Sequence, residues 1–183
     1  SIVSSIGNIA GVRACSPYEN DTDTTDSNGI PSHSLSFVVD GGDPAEIAAS
    51  IARHKTPGAG TYGTTSVVVA DSAGPAVTIN FFRPTAVPVA IQVTMEALPG
   101  YVSTTGAAIA QALSGYVSGL PSGSDVYLSK LFAAAEIPGL NGTYNVTGIL
   151  IARDAGTPAA ADVAILFNEA ADCPPASVTI TVS

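Results

Sequence analysis

The chain has 183 residues, of which 46% are hydrophobic and 11% charged, a composition that excludes intrinsic disorder. Its formal net charge is −9, and its 6 Lys and Arg residues are scattered. Because nucleic acids and anionic membranes are bound through dense basic stripes, we expect neither as a partner. Apolar runs such as 67–70 and 131–135 fall far short of the roughly 18 residues of a membrane span. The start at Ser1, without Met, suggests a fragment of a longer protein or a processed chain.

The first elements are predicted from apolar spacing. Ile2, Ile6 and Ile9 lie at helical spacing and predict a short amphipathic helix, which Gly11 would end. The elements expected next are a strand over 12–16, an exposed loop or hairpin turn over the polar segment 19–29, and a strand over 34–40.

A strong helix start signal follows. Asp43 as N-cap, Pro44 at the first helical position and Glu46 at the capping-box position predict a helix over 43–55. Its buried stripe would consist of Ile47, Ala48 and Ile51. After a Gly-rich connection, the pattern over 66–82 predicts a hairpin that turns at Asp71-Ser72-Ala73-Gly74.

The second half begins with the clearest strand, predicted over 87–96. Its odd-numbered residues are apolar and its even-numbered ones mostly polar or small, so one face should be buried, and Pro88 should lie near the strand's beginning or on a sheet edge. The remaining elements are helices over 104–118 and 126–136, the latter with Leu128, Leu131 and Phe132 as its apolar residues, and strands over 144–152, 162–167 and 177–182.

A weak internal repeat suggests two related halves. The step from a helix through Ile9-Ala10-Gly11-Val12 to a strand resembles the step through Ile137-Pro138-Gly139-Leu140. We therefore predict an α+β fold with two small lobes, 1–84 and 85–183, each a mostly antiparallel or mixed sheet with helices on one face.

Catalytic motifs are weak. His33 and His54 are the two histidines, and neither lies in a recognisable nucleophile motif. Cys15 and Cys173 fit no metal or disulfide spacing and are interpreted as reduced packing residues. The GxGxxG spacing of 58–63 lies between a helix and a strand, the reverse of the dinucleotide-binding order, so we interpret it as a connection. No cofactor and no metal is predicted.

The polar segment leaves one alternative open. It contains several hard-oxygen side chains that suit Ca²⁺, namely Asp21, Asp23, Asp26 and Asn28, followed by Gly29. Their spacing does not match an EF-hand loop, and a solvated turn is the simpler interpretation. A Ca²⁺- or ligand-binding surface module of a tail or adhesin-like protein is therefore the alternative function. A carboxylate pair for hydrolysis stays open, and the sequons at Asn141 and Asn145 would matter only in a secreted chain.

Several short motifs follow one another in the central stretch 37–95. They are Gly41-Gly42-Asp43 after a strand, EIAxxI over 46–51, KxxGxxTxG over 55–63, and Phe82-Arg83-Pro84 before a valine-alternating strand. In this order they resemble the baseplate J-like family of contractile-tail phages. Residues 19–20 and 29–34 upstream are also similar, as are the later helix and the 137–140 step. Cys173-Pro174-Pro175 departs from the family pattern, and the family's N-terminal part has no counterpart here.

The resemblance implies a structural role, not an enzymatic one. Family members are wedge components of the baseplate in the virion, assembled in the bacterial host cytoplasm. The resemblance implies contacts with other wedge subunits and a second copy of the chain, indirect contact with the central hub or spike, and rearrangement on sheath contraction. Edge strands are the expected contact surfaces, and 87–96 and 177–182 are the candidates.

Overall fold

The protein has an α+β fold, as predicted. The computed structural model describes residues 1–70 and 74–183, which form four α-helices and nine strands in three sheets. The helices are α1 (Ile2–Gly7), α2 (Pro44–His54), α3 (Ser103–Ser118) and α4 (Leu128–Ala134), with 3-10 turns at Asn141–Thr143 and Pro175–Ser177. The strands are β1 (Val12–Asn20), β2 (Ser34–Gly41), β3 (Gly60–Tyr62), β4 (Thr65–Val69), β5 (Val77–Phe81), β6 (Thr85–Ala97), β7 (Tyr144–Arg153), β8 (Glu169–Asp172) and β9 (Val178–Val182). Within the described ranges, no helix is long and apolar enough to cross a membrane.

Packing divides the chain into two compact units, Ser1–Pro84 and Thr85–Ser183. In the first unit, β2 is the centre of a three-stranded sheet, antiparallel to β1 and parallel to β3. β4 and β5 form the predicted antiparallel pair, and Asp71, Ser72 and Ala73 of the predicted turn lie outside the described residues. The core of this unit is built from α1, α2 and strands β2 and β5.

Helix α2 confirms the prediction from its start signal. The Asp43 carboxylate accepts hydrogen bonds from the backbone N–H groups of Ala45 (2.9 Å) and Glu46 (3.0 Å), which satisfies two donors that a helix otherwise leaves unpaired. Ile47, Ala48 and Ile51 are fully buried, as predicted. Local chemistry therefore determines both where this helix begins and which face it buries.

Three other details of the first unit differ from the prediction. β1 extends to Asn20, so the polar loop begins two residues later than expected, and the Gly-rich connection contains the short strand β3. Helix α1 ends at the cap residue Asn8. Gly11 instead has φ +82° in the turn that follows, where the Val12 N–H donates to the Ile9 carbonyl at 3.1 Å.

In the second unit, β6 is the central strand. It pairs with antiparallel β7 on one side and with parallel β8 and β9 on the other. The predicted alternation is confirmed, since the inward residues Val87, Val89, Ile91, Val93 and Met95 are at most 2% exposed. Helices α3 and α4 pack on this buried face through Ile109, Leu113, Val117 and Leu131.

The central position of β6 corrects one expectation, and the place of Pro88 confirms another. The strand is not a sheet edge, so it is not available as a contact edge. Pro88 lies near its beginning, just before the β6–β7 ladder starts at Val89, so its missing N–H falls outside that ladder. Its carbonyl still accepts from the Asp154 N–H at 2.7 Å.

The predicted strand over 162–167 is wrong, and β8 (Glu169–Asp172) pairs with β6 instead. Val163 makes only an isolated bridge, with Val126, and the neighbouring donor at Ile165 binds a side chain instead of a strand. The Asp125 carboxylate accepts from the Ile165 N–H at 2.8 Å. Val163 and Ile165 are nevertheless buried, so the alternation marked buried side chains correctly without marking a strand.

Helix α4 is shorter than the predicted 126–136. Val126 donates its N–H to the Val163 carbonyl, and the Leu128 N–H donates to the Asp162 carboxylate at 2.8 Å, so the helix begins only at Leu128. Leu131 is buried, whereas Phe132, another of the apolar residues of the predicted helix, is 37% exposed.

The two units share one local step. The turn of residues 9–12 and that of residues 137–140 each contain a glycine at φ +82°, Gly11 and Gly139. In each, the fourth residue donates its N–H to the carbonyl of the first, at 3.1 Å and 3.0 Å. Only glycine adopts such a φ without strain, which explains the repeated residue. Each turn leads from a helix to a strand that pairs antiparallel with a central strand, β2 or β6. The relation between the two halves as whole lobes stays a prediction.

Candidate functional site

The outer side of β9 is an open sheet edge. Among the described residues, β9 pairs with β6 alone. Ser183, just after the strand, donates its N–H to the Met95 carbonyl (2.9 Å), and its carbonyl accepts from the Ala97 N–H (3.2 Å). Because the backbone polar groups of successive strand residues point to opposite sides, Ile180 and Val182 direct their N–H and C=O groups away from β6.

A shallow groove of about 520 Å³ lies beside this edge, between α3 and β9. The strand contributes Val178, Ile180 and Val182, and the last of these is 42% exposed. Gly106 of α3 allows the close approach, since a Cβ there would lie 3.1 Å from the Tyr101 hydroxyl and 3.7 Å from Ile180. The groove is therefore lined by small and apolar residues together with the hydroxyl-bearing Tyr101 and Ser103, next to the outward backbone groups of β9.

The edge and its groove carry no charged side chain. β9 has the sequence VTITV and α3 the sequence STTGAAIAQALSGYVS, so neither contains an acidic or basic residue. Soluble proteins commonly protect an edge strand with lysine, proline or a bulge. β9 has none of these devices, which makes it well suited to strand pairing with another chain. It is one of the two strands that the sequence proposed as contact edges.

The acidic loop does not assemble a metal site among the described residues. Asp26 caps its own turn, accepting from the N–H groups of Asn28 (2.9 Å) and Ile30 (2.8 Å). Asp23 lies 3.0 Å from His33, and both side chains are exposed. In ranges 1–70 and 74–183, no three His, Cys, Asp or Glu side chains are grouped so that they could hold an ion. The Asp26 carboxylate instead satisfies local backbone donors.

The next candidates are His54 and the two cysteines. His54, in the last turn of α2, bonds to the Ser50 carbonyl through Nδ1 at 2.8 Å. Cys15 and Cys173 are both free thiols, and Cys173 is fully buried. Burial raises the pKa of each thiol to about 11, which suppresses the nucleophilic thiolate at neutral pH. Neither thiol is thus activated.

Arg83 joins two of the motifs quoted for the resemblance, Gly41-Gly42-Asp43 and Phe82-Arg83-Pro84, through a contact that the sequence did not predict. Arg83 donates from Nη1 to the carbonyls of Val39 (3.1 Å) and Gly41, and from Nη2 to that of Gly42 (2.8 Å). Its guanidinium also lies 5.2 Å from the centre of the Phe81 ring. Both motifs can be read from the sequence. Their contact could not be predicted, because it joins residues more than forty positions apart.

The second unit contains a further ion pair that was missed. Arg153 on β7 binds both carboxylate oxygens of Glu169 on β8, at 3.0 Å and 2.7 Å. Glu169 also accepts from the Leu166 N–H at 2.9 Å. The guanidinium contact is the main cause that lowers the pKa of Glu169 below its ordinary value. These contacts fix β8 beside the sheet, so the pair has a structural role.

Comparisons with known proteins add no identification. No protein-family model matches the chain. A search of curated proteins also finds no significant similarity.

Proposed function

We propose that the chain is a structural wedge subunit of a contractile phage or prophage tail baseplate, acting through protein–protein contacts and not as an enzyme. The observation that carries the proposal is the open, uncharged β9 edge with the uncharged groove beside it. Backbone groups in strand register, beside an uncharged groove, are complementary to an extended segment of another protein.

The geometry of the two joined motifs, Gly41-Gly42-Asp43 and Phe82-Arg83-Pro84, also supports this proposal. A Cβ on Gly41 would lie 2.1 Å from the Gly11 carbonyl oxygen, and one on Gly42 would lie 2.4 Å from a Val12 methyl, so both positions require glycine. Arg83 binds the carbonyls of the same two residues. The residues on which the resemblance depends therefore contact one another and stabilise the unit, consistent with a scaffold protein.

In the proposed role, the partners are other wedge subunits and a second copy of the chain, with the hub or spike contacted indirectly. The protein would assemble in the bacterial host cytoplasm and reside in the virion. Contacts made in the assembled ring would favour one arrangement before sheath contraction and another after it.

The test is co-elution in size exclusion with light scattering, after mixing the chain with each wedge subunit from the same tail gene cluster. Stable co-elution with at least one of them is expected. If none binds, the baseplate proposal is wrong. A rise in melting temperature with Ca²⁺, in the absence of any such complex, would support the binding-module alternative.

A further inference from the structure

We propose that two copies of the chain pair antiparallel through β9, centred on Ile180, so that their second-unit sheets join across a two-fold axis. This inference specifies the self-contact that the proposed function includes. It depends on the sequence, backbone direction and charge of β9, which are independent of the family resemblance.

The sequence of β9 is symmetric. Val178-Thr179-Ile180-Thr181-Val182 reads the same in both directions. Antiparallel pairing about Ile180 therefore places each residue type opposite itself: Ile opposite Ile, Thr opposite Thr and Val opposite Val. A two-fold interface requires this kind of self-complementarity, because the same patch is used by both copies. Cross-strand Thr–Thr and β-branched pairs are also favourable in antiparallel sheets.

The free backbone groups occur in the register that such a pair needs. Ile180 and Val182 point their N–H and C=O groups outward, so Ile180 faces its own copy as a hydrogen-bonded pair that exchanges two bonds. The Val178 N–H already donates to the Pro175 carbonyl within the chain. Each flanking pair is therefore left with one bond, from the Val182 N–H to the Val178 carbonyl of the other copy. A shift by one residue would oppose Thr to apolar residues and lose these bonds.

The side chains suit the same arrangement. Opposed residues of an antiparallel pair lie on one face of the sheet, so both copies of Ile180 and Val182 would lie on the α3 side. There the half-open groove of each copy meets that of the other, and the exposed part of Val182 becomes covered. Thr179 and Thr181, both exposed, stay on the solvent face.

Electrostatics permits the contact despite the net charge of −9. Neither β9 nor α3 has an acidic or basic residue, so pairing brings no like-charged side chains of these elements into direct opposition. A second copy is thus a partner whose charge, apolar face and backbone register all match this edge.

The test places charges on the solvent face of the edge. In Thr179→Lys with Thr181→Lys, each lysine would oppose a lysine of the other copy, and we expect the dimer Kd to rise about tenfold or more. A second variant carries Thr179→Glu with Thr181→Glu. Mixing the two charge variants should restore a dimer, because each lysine then opposes a glutamate. Thr78→Lys with Thr157→Lys, two exposed threonines that do not belong to β9, is the matched control.

Light scattering across a concentration series decides the outcome, and circular dichroism checks that each variant is folded. The proposal is supported if the wild type and the control dimerise, the lysine variant does so less, and the mixture recovers. It is overturned if the wild type stays monomeric up to millimolar concentration, or if the lysine variant dimerises like the control. A dimer that binds no wedge subunit would retain the pairing and reject the baseplate role, and a monomer that binds one would do the reverse.

Discussion

Replacing Arg83 by methionine should destabilise the first unit strongly. The substitution removes the guanidinium that binds the carbonyls of Val39, Gly41 and Gly42, and its contact with the Phe81 ring. A hydrogen bond to a charged group contributes about 1.5–3 kcal/mol, and bonds made by one side chain are not additive. Because Arg83 is half-buried, we expect the free energy of unfolding to fall by about 3 kcal/mol.

Two further variants separate the geometry from the charge. Arg83→Lys keeps the positive charge but not the planar fork, so it should recover only part of the loss. Arg53→Met makes the same chemical change at an exposed position on α2 and should lie within about 0.5 kcal/mol of the wild type.

The assay is urea unfolding followed by far-UV circular dichroism, with the midpoint and slope fitted separately. Where two transitions are resolved, Arg83→Met should shift only that of the first unit, since all four contacts lie within residues 39–83. An Arg83→Met protein as stable as Arg53→Met would refute the view that this contact stabilises the unit.

Three further predictions concern stability and thiol reactivity. Glu169→Gln should cost about 1.5 kcal/mol at pH 7. Because the folded-state pKa of Glu169 is lowered, its ion pair stabilises above the ordinary pKa of 4.5 and is lost as pH falls, so wild-type and variant unfolding curves should converge in acid. Gly63→Ala would place a Cβ 2.1 Å from the backbone of β5 and should cost more than about 3 kcal/mol, whereas Gly7→Ala meets nothing within 4 Å and should be nearly neutral, as thermal melts would show. With a thiol reagent at pH 8, half-buried Cys15 should react slowly and Cys173 only on unfolding, and rapid labelling of both would contradict their burial.

Features encoded by neighbouring residues could be predicted. Asp43, Pro44 and Glu46 lie within one turn, and they placed the start of α2 correctly because capping is a local interaction. The alternation in β6 likewise identified its buried face, since side-chain direction follows from the strand period.

Features that depend on pairing could not be predicted. The alternation over 162–167 shows which side chains are buried but not whether a neighbouring strand pairs with their backbone, and the Asp125 carboxylate instead accepts from the Ile165 N–H there. The same limitation applies to β6 and β9. Both alternate clearly, and only the order of strands makes one central and the other an edge. Arg83 has no local signature, because its carbonyl partners lie more than forty residues away.

β9 has no charge, proline or bulge to prevent unwanted pairing with other strands, and the proposed dimer would close this edge. The outer strand β1 carries Arg13, Pro17 and Glu19, and β7 has a bulge at Thr147, and each of these features discourages pairing with another chain. An uncovered VTITV edge would instead stay available for pairing with further strands. A specific antiparallel partner closes it after one addition, because the two-fold pair leaves no further β9 edge free.

If a second copy covers the edge in this way, the double variant Thr179→Lys with Thr181→Lys should be a soluble monomer. Lysine then supplies the protection that the second copy provides in the wild type. Light scattering of that variant over days at high concentration measures this directly, with circular dichroism to show that it stays folded. Aggregation of the folded variant through the same edge would contradict this reasoning, because two lysines on the strand should discourage any further strand from pairing with it.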